Sequence, residues 1–121
     1  KIANFFIPLV GEHMILNTLS VIAIAYLEKL DMNKVVSIMK TFKGAKKRFK
    51  ERVIDDIITI DDYAHHPTEV MVTIKSARQK YPDKEVVAVL RPNTYSRTKA
   101  LYKDFNTALN KDDKAYVMDI I

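Results

Sequence analysis

From residue 57 onward, the sequence alternates between patterns typical of β-strands and patterns typical of α-helices. The strand patterns begin at residues 57, 85 and 114, and the helical patterns cover residues 67–81 and 96–110. Elements in this order form a parallel sheet with right-handed crossovers. The sequence therefore predicts an α/β, Rossmann-like fold, with a mostly parallel sheet and flanking helices. The β-branched run "EVVAVL" at residues 85–90 is typical of a strand buried on both faces.

The first part of the chain has a helical pattern of a different character. Between residues 12 and 30, apolar side chains recur at three- and four-residue steps in a broad stripe, which predicts a well-buried helix. Asp31 and Asn33 are candidate N-caps for a second helix that runs through Phe42, and Gly44 is a plausible stop. This segment precedes the alternating region and contains no strand pattern.

A change of character near Gly44 predicts a boundary between two regions, residues 1–43 and residues 44–121. The second region opens with "RFKERVIDDIITIDDY", which indicates two strands joined at Asp55 and Asp56.

The composition excludes several classes of protein. The 121 residues contain no cysteine, which excludes disulfide and thiolate chemistry, and no apolar run long enough to cross a bilayer. The net charge is +5, and basic residues cluster in "KGAKKRFK" at 43–50. A solvated loop and strand edge explains that cluster most simply. A nucleic-acid-binding module is the alternative. Proteins of that class interleave aromatic side chains with the basic ones, whereas Phe49 is the only aromatic residue in this cluster.

Polar and titratable residues follow two of the predicted strands. The first group lies in "DDYAHHP" and the second in "RPNTYSRT". In an open parallel sheet, ligands bind beyond the carboxyl ends of the strands, and helix N-termini attract anions. We therefore expect one crevice to be lined by Asp61, Asp62, His65, His66, Arg91, Asn93, Ser96 and Arg97.

Each of these residues also has an ordinary structural explanation. A histidine pair can be a helix cap and its neighbour, and acids before a helix often serve only as caps. Adjacent histidines lack the spacing of helical metal ligands, so no metal site is predicted. Arg97 in a first helical turn opposes the helix dipole, a placement against local preference that suggests a functional role. The sequence contains neither of the glycine-rich phosphate-binding patterns, GxxxxGK[ST] and GxGxxG.

Four segments together resemble the Mur ligase family. They are "GEHMILN", "KKRF", "DDYAHHPTE" and "RPNTYSRT", in the order in which the family has them. The resemblance covers nearly the whole chain, and the doubled histidine and "TYSRT" are similar to the alanine-adding branch. Another amino-acid-adding branch of the family is the alternative.

The resemblance implies that residues 1–43 are the last helices of a central ATP-binding domain, and that residues 44–121 are the first part of a C-terminal Rossmann-like ligase domain. It implies a cytoplasmic ligase of peptidoglycan precursor synthesis that joins L-alanine to UDP-N-acetylmuramate through an acyl phosphate, with ATP and Mg²⁺. The partners implied are these small molecules and the remaining domains, with no nucleic acid and no membrane. Because the phosphate loop, the metal ligands and the uridine-binding domain have no counterpart here, these residues alone are expected to be inactive.

The resemblance also implies residue roles. His13 and Asn17 would line the adenine pocket, Arg48 would reach the nucleotide, and Asp62 would hold the ribose of ATP. The catalytic and amino-acid-binding positions implied are His65, Asn93 and Arg97. Arg97 would pair with the alanine carboxylate, a contact that a guanidinium forms well.

The chain departs from the usual family pattern at four of its motif positions. Met14 replaces an asparagine, Lys47 replaces an arginine, and Arg91 and Asn93 stand where "QPH" is common. Asn93 can donate a hydrogen bond, but it cannot titrate near neutral pH as the usual histidine can.

Overall fold

The computed structural model describes residues 4–109 and 114–120, and it divides the chain into two compact units, Lys1–Ala45 and Lys46–Ile121. The division lies close to the predicted boundary near Gly44. The assignment of the two regions to a central and a C-terminal domain stays a prediction.

The first unit contains two helices, α1 (Glu12–Leu27) and α2 (Met32–Thr41). Asp31 caps α2, because its carboxylate accepts hydrogen bonds from the backbone N–H groups of Asn33 and Lys34 at 3.0 and 3.4 Å. Both helices are confirmed, and of the two candidate caps Asp31 is the N-cap, whereas Asn33 is the second residue of α2.

The expectation that α1 is well buried is wrong. Only Thr18, Ile22 and Ala25 of α1 are buried, whereas Leu27 keeps 74% of its surface exposed. Within this unit α2 is the described element that packs against α1. A single neighbouring helix can cover only one face of a helix that is apolar on several faces.

The second unit begins with a β-hairpin of β1 (Lys50–Ile54) and β2 (Ile57–Asp61). The strands are antiparallel, and their register pairs Lys50 with Asp61 and Ile54 with Ile57. Asp55 takes the left-handed conformation in the turn, with φ of 52°, which aspartate tolerates better than most residues. The predicted hairpin is confirmed.

After the hairpin come α3 (Pro67–Lys80), β3 (Val87–Leu90), α4 (Tyr95–Ala100), α5 (Tyr102–Leu109) and β4 (Lys114–Val117). Strands β3 and β4 pair in parallel, and the backbone N–H of Met118 extends the ladder to the carbonyl of Leu90 at 2.9 Å. The predicted parallel crossover is confirmed for this pair. The helix predicted over 96–110 is instead two helices that break at Leu101, and Asn110 and Ile121 lie outside the described residues.

The described residues form two separate two-stranded sheets, because β2 does not pair with β3. A cavity of about 560 Å³ lies between these strands, and consecutive residues of both strands line it. The prediction that residues 85–90 are buried on both faces is wrong, since Val87 and Val89 are 50% and 63% exposed. The exposed face of β3 has too few neighbours among the described residues to cover it.

The core of the second unit joins the two βα connections. Val70 of α3, Leu90 of β3, and Phe105 and Ala108 of α5 form its buried centre. Around them pack the partly buried residues Ala64, Ile74, Leu101 and Leu109. Both helical regions therefore turn apolar side chains toward this core.

An ion pair fastens the hairpin to the end of α3. Lys80 Nζ lies 2.6 Å from Glu51 Oε2. Burial by itself lowers the pKa of Lys80, but the hydrogen bond and charge of Glu51 outweigh that effect and raise it. The pair therefore joins β1 to the C-terminal end of α3.

Candidate functional site

The segment Asp62–His66, here called the histidine loop, is held by the capping of α3. His66 is the N-cap, and its Nδ1 accepts a hydrogen bond from the backbone N–H of Thr68 at 3.3 Å. Glu69 completes a capping box by accepting from the backbone N–H of His66 at 3.2 Å. Pro67 occupies the first helical position, where its missing N–H costs nothing.

Asp62 joins the histidine loop to the segment Lys46–Phe49, here called the junction loop. Its Oδ1 accepts a hydrogen bond from the backbone N–H of Ala64, and its Oδ2 accepts one from Phe49, both at 2.8 Å. The backbone N–H of Tyr63 also donates to the carbonyl of Lys47 at 2.8 Å. These bonds place Arg48 beside the histidine loop.

The junction loop has a strained backbone. Lys47 and Phe49 have φ values of 55° and 47°, in the left-handed region that a bulky residue such as phenylalanine rarely adopts. Such a conformation costs on the order of 1–3 kcal/mol per residue and clusters at binding sites. The hydrogen bond from Phe49 to Asp62 helps to offset that cost.

Glu69 stands at the centre of the charged groups. Its Oε1 lies 3.8 Å from Arg48 Nη1, and its Oε2 lies 3.5 Å from His65 Nδ1. Its Oε2 also accepts the backbone N–H of His65 at 2.9 Å. That backbone bond is the main cause that lowers the pKa of Glu69; partial burial opposes it, and the His66 N–H and the nearby His65 and Arg48 lower the pKa further.

The ring of His65 is oriented by its neighbours. Its Nδ1 lies 3.0 Å from the carbonyl oxygen of Tyr63, a contact that requires a proton on Nδ1 because a carbonyl only accepts. The ring also meets the Tyr63 ring edge to face, with 5.3 Å between centroids. Nε2 is therefore the ring nitrogen left to contact a ligand.

The second polar loop, Arg91–Thr94, follows β3 directly. Pro92 is buried, whereas Arg91 and Asn93 are exposed. Arg97 is exposed and lies near the start of α4, as predicted, but α4 has only six residues, so Arg97 also falls in its last turn, where a cation is favourable. The N-cap Thr94 makes no side-chain capping bond.

Both polar loops are anchored in one core. Ala64 of the histidine loop packs against the cluster that contains Leu90, the residue before Arg91. Leu101, at the end of α4, packs against the same cluster. Both loops therefore adjoin the same cluster, although β2 and β3 lie in separate sheets, and the expectation that their polar residues line one crevice stays a prediction.

The structure brings together Arg48, Asp62 and His65, through Glu69 and backbone bonds. Asn93 and Arg97 are exposed and make no described contact with those three. His13 and Asn17 lie on α1 of the other unit; Asn17 is exposed. His13 is partly buried, and its Nδ1 has no hydrogen-bond partner among the described residues.

Glu69 was not among the site residues predicted from the sequence. The spacing of His66 and Glu69 before an apolar helical pattern is that of a capping box, and this spacing could have identified Glu69. The structure also gives His66 the ordinary capping role, which was one of its two explanations.

The part of the chain that the structure describes contains neither a metal-binding cluster nor a membrane-spanning helix. Across 4–109 and 114–120, no group of three or more His, Asp or Glu is placed to hold a metal ion. No helix in those ranges is long and apolar enough to span a membrane.

Comparison with known proteins gives consistent matches. Residues 47–120 match the family described as "Mur ligase, glutamate ligase domain". The UDP-N-acetylmuramate–L-alanine ligases of Lactobacillus johnsonii and Ligilactobacillus salivarius are 55% and 50% identical over 119 residues, 98% of this chain. The chain spans only 27% of the length of either relative.

Solved structures show the same fold. The UDP-N-acetylmuramate-alanine ligase MurC of Thermotoga maritima matches with a TM-score of 0.70 at 23% identity, over 94% of this chain and 31% of that one. A murein peptide ligase from Psychrobacter arcticus matches with a TM-score of 0.63 at 20% identity, over 95% of this chain and 30% of that one.

Proposed function

The chain belongs to the Mur ligase family, and from that premise we propose that it is part of a ligase that uses ATP to join L-alanine to UDP-N-acetylmuramate. The observation that carries the proposal is the match to L-alanine ligases at 50–55% identity, which covers 98% of the chain and so both units. The substrates are cytoplasmic metabolites, so we place the reaction in the cytoplasm, as a step of peptidoglycan precursor synthesis.

The proposed reaction has two steps. A carboxylate oxygen of UDP-N-acetylmuramate attacks the γ-phosphorus of ATP, and ADP leaves, which produces an acyl phosphate. The alanine nitrogen then attacks the acyl carbon, phosphate leaves, and the nitrogen loses a proton as the amide forms. Mg²⁺ would neutralise phosphate charge when bound. The described residues contain no group of three or more His, Asp or Glu placed to hold a metal ion, so we place the metal ligands outside this chain, as the family resemblance implies.

We assign the nucleotide side to four residues. Arg48 would contact the phosphates, because its guanidinium is exposed and carries a permanent charge. Asp62 would accept from the ribose hydroxyls, since each carboxylate oxygen can accept more than one hydrogen bond. His13 and Asn17 would line the adenine pocket. The unpartnered Nδ1 of His13 supports a polar contact there.

We assign the amino-acid side to His65, Asn93 and Arg97. With a proton on Nδ1 toward Tyr63, the ring of His65 offers the lone pair of Nε2 as an acceptor for a proton of the incoming amine. Asn93 would offer a neutral hydrogen bond. Arg97 would bind the alanine carboxylate with two parallel N–H bonds, and its exposure at the start of α4 leaves its guanidinium open to a substrate.

The lysine substitution Arg97→Lys in a full-length ligase that carries this sequence should raise the KM for alanine about tenfold, because lysine keeps the charge but loses one of the two bonds. The KM for ATP should change much less. Steady-state kinetics with each substrate varied in turn measures both values, and Arg52→Lys, an exposed arginine of β1 outside both polar loops, is the control. Equal changes in both constants for Arg97→Lys would place Arg97 outside the alanine site.

The proposed function is tested by phosphate release. The full-length ligase should release phosphate only when ATP, UDP-N-acetylmuramate and an amino acid are all present, and L-alanine should be used better than glycine, L-serine or D-glutamate. The 121-residue chain alone should match the blank, because the relatives are nearly four times as long. A full-length protein that prefers another amino acid belongs to a different branch, and turnover by the short chain would refute the assigned division of labour.

A further inference from the structure

We propose that Glu69 is a positioning residue that holds Arg48 and His65 in a fixed relation, and so couples the nucleotide side of the site to the amino-acid side. The inference rests on the proposed function, because it takes the roles of Arg48 and His65 from there. Glu69 itself is assigned no contact with a substrate.

The two oxygens of Glu69 have different partners. Oε2 accepts the backbone N–H groups of His65 and His66, at 2.9 and 3.2 Å, which completes the capping of α3. Oε1 lies 3.8 Å from Arg48 Nη1. Capping uses only Oε2, so the contact between Oε1 and Arg48 is additional to what the helix needs.

The partners of Glu69 come from different parts of the unit. Arg48 lies in the junction loop before β1, and His65 lies in the histidine loop after β2. The side chain of Glu69 is 36% exposed, and that of Arg48 is 50% exposed. At this exposure the ion pair adds little to stability, so its main effect is on where the guanidinium points.

The positive charge near Glu69 comes from the junction loop. Arg48 faces Glu69 directly, and Lys47 lies over the ring of Tyr63, with Nζ 5.8 Å from the centroid. The carboxylate of Glu69 attracts the guanidinium of Arg48 and so limits the directions in which it can point. His65 is held to the same carboxylate by its backbone N–H, which donates to Oε2 at 2.9 Å.

The variant Glu69→Gln separates the capping of α3 from the attraction of Arg48. The glutamine oxygen can replace Oε2 as acceptor for the two backbone N–H groups, whereas its amide nitrogen cannot attract Arg48. In the full-length ligase we expect the KM values for ATP and for alanine to rise about two- to fivefold, the range that an exposed ion pair supports. The melting temperature should stay that of the wild type.

Glu85→Gln is the matched control. Glu85 Oε1 pairs with Lys114 Nζ at 2.9 Å, and both side chains are largely exposed. This variant also loses one surface ion pair, but away from the histidine loop. Neither KM should change. An equal rise in both variants would show that the effect of Glu69→Gln is a general effect of charge.

A double-mutant cycle with Arg48→Ala separates positioning from a structural role. If Glu69 acts through Arg48, Glu69→Gln should raise the KM for ATP in the wild type but leave it unchanged in the Arg48→Ala background. The same fold-change in both backgrounds overturns the inference. So does a loss of melting temperature in Glu69→Gln as large as that in Glu69→Ala, because the effect would then come from capping.

A failure of the proposed function can be told apart from a failure of the role of Glu69. If the proposed function is wrong, the wild-type ligase releases no phosphate in response to alanine, and the inference about Glu69 is refuted as well. An active wild type with an additive cycle would refute the role of Glu69 alone.

Discussion

Replacing Asp62 with asparagine is expected to raise the KM for ATP at least tenfold in the full-length ligase. The carboxylate of Asp62 accepts the backbone N–H groups of Phe49 and Ala64, both at 2.8 Å. Asparagine has one oxygen, so its amide nitrogen would face one of these donors. A charge-assisted bond contributes about 1.5–3 kcal/mol, which corresponds to a change of tenfold or more.

Two mechanisms could raise the KM for ATP in this variant, and each gives a different prediction. Asp62 can bind the ribose directly, or it can act by holding Phe49 in its left-handed conformation and thereby placing Arg48. Nucleotides that lack a ribose hydroxyl distinguish the two. If Asp62 binds the ribose, the penalty of Asp62→Asn should shrink when 2′-deoxy- or 3′-deoxy-ATP replaces ATP. If Asp62 only holds the junction loop, the penalty should be the same for all three nucleotides.

The neighbouring variant Asp61→Asn is the control. Asp61 is the last residue of β2, is exposed, and lies opposite Lys50 in the hairpin register. Its replacement should cost about 0.2–1 kcal/mol of stability, as for other cross-strand charge pairs, and should leave the KM for ATP unchanged. A larger effect on ATP from Asp61→Asn than from Asp62→Asn would mean that the roles of the two acids are reversed.

The elements that the sequence predicted correctly are those determined by local patterns. The turn at Asp55 and Asp56, the cap at Asp31 and the apolar face of α3 each depend on residues close together in the chain. Capping and turn formation need only a few neighbouring side chains. Such features are readable without knowledge of the tertiary structure.

The errors concern neighbours that are distant in sequence. The apolar pattern of α1 predicts burial, but it does not say which element covers each face, and Leu27 remains exposed. Likewise, the β-branched run of β3 shows that the strand suits a covered sheet. Val87 and Val89 are exposed because the described residues supply few neighbours for that face.

The sequence predicts which loops form the candidate site, but not the contacts that their carboxylates make. The rule that ligands bind beyond the carboxyl ends of strands identifies the histidine loop and the loop that begins at Arg91. It does not reveal that the oxygens of Asp62 and Glu69 bind backbone N–H groups. Every residue except proline carries such a donor, so the sequence gives no sign of which N–H a carboxylate will meet.

The same dependence on distant packing makes Phe105 a sensitive position in the second unit. Its side chain is only 6% exposed, in the cluster with Val70, Leu90 and Ala108. Both polar loops are anchored to this cluster through Ala64 and Leu90. A cavity there would therefore loosen the site as well as the core.

Phe105→Ala should lower the free energy of unfolding of the 121-residue chain by about 3–5 kcal/mol, through lost burial and the cavity left behind. Urea denaturation followed by circular dichroism measures the change. Tyr102→Ala is the matched control, because Tyr102 lies on the same helix, is 68% exposed, and should change the free energy by less than about 0.5 kcal/mol. Phe105→Leu, which keeps more of the buried volume, should fall between them. If Phe105→Ala destabilised the chain no more than Tyr102→Ala, this cluster would not be the centre that holds the two loops together.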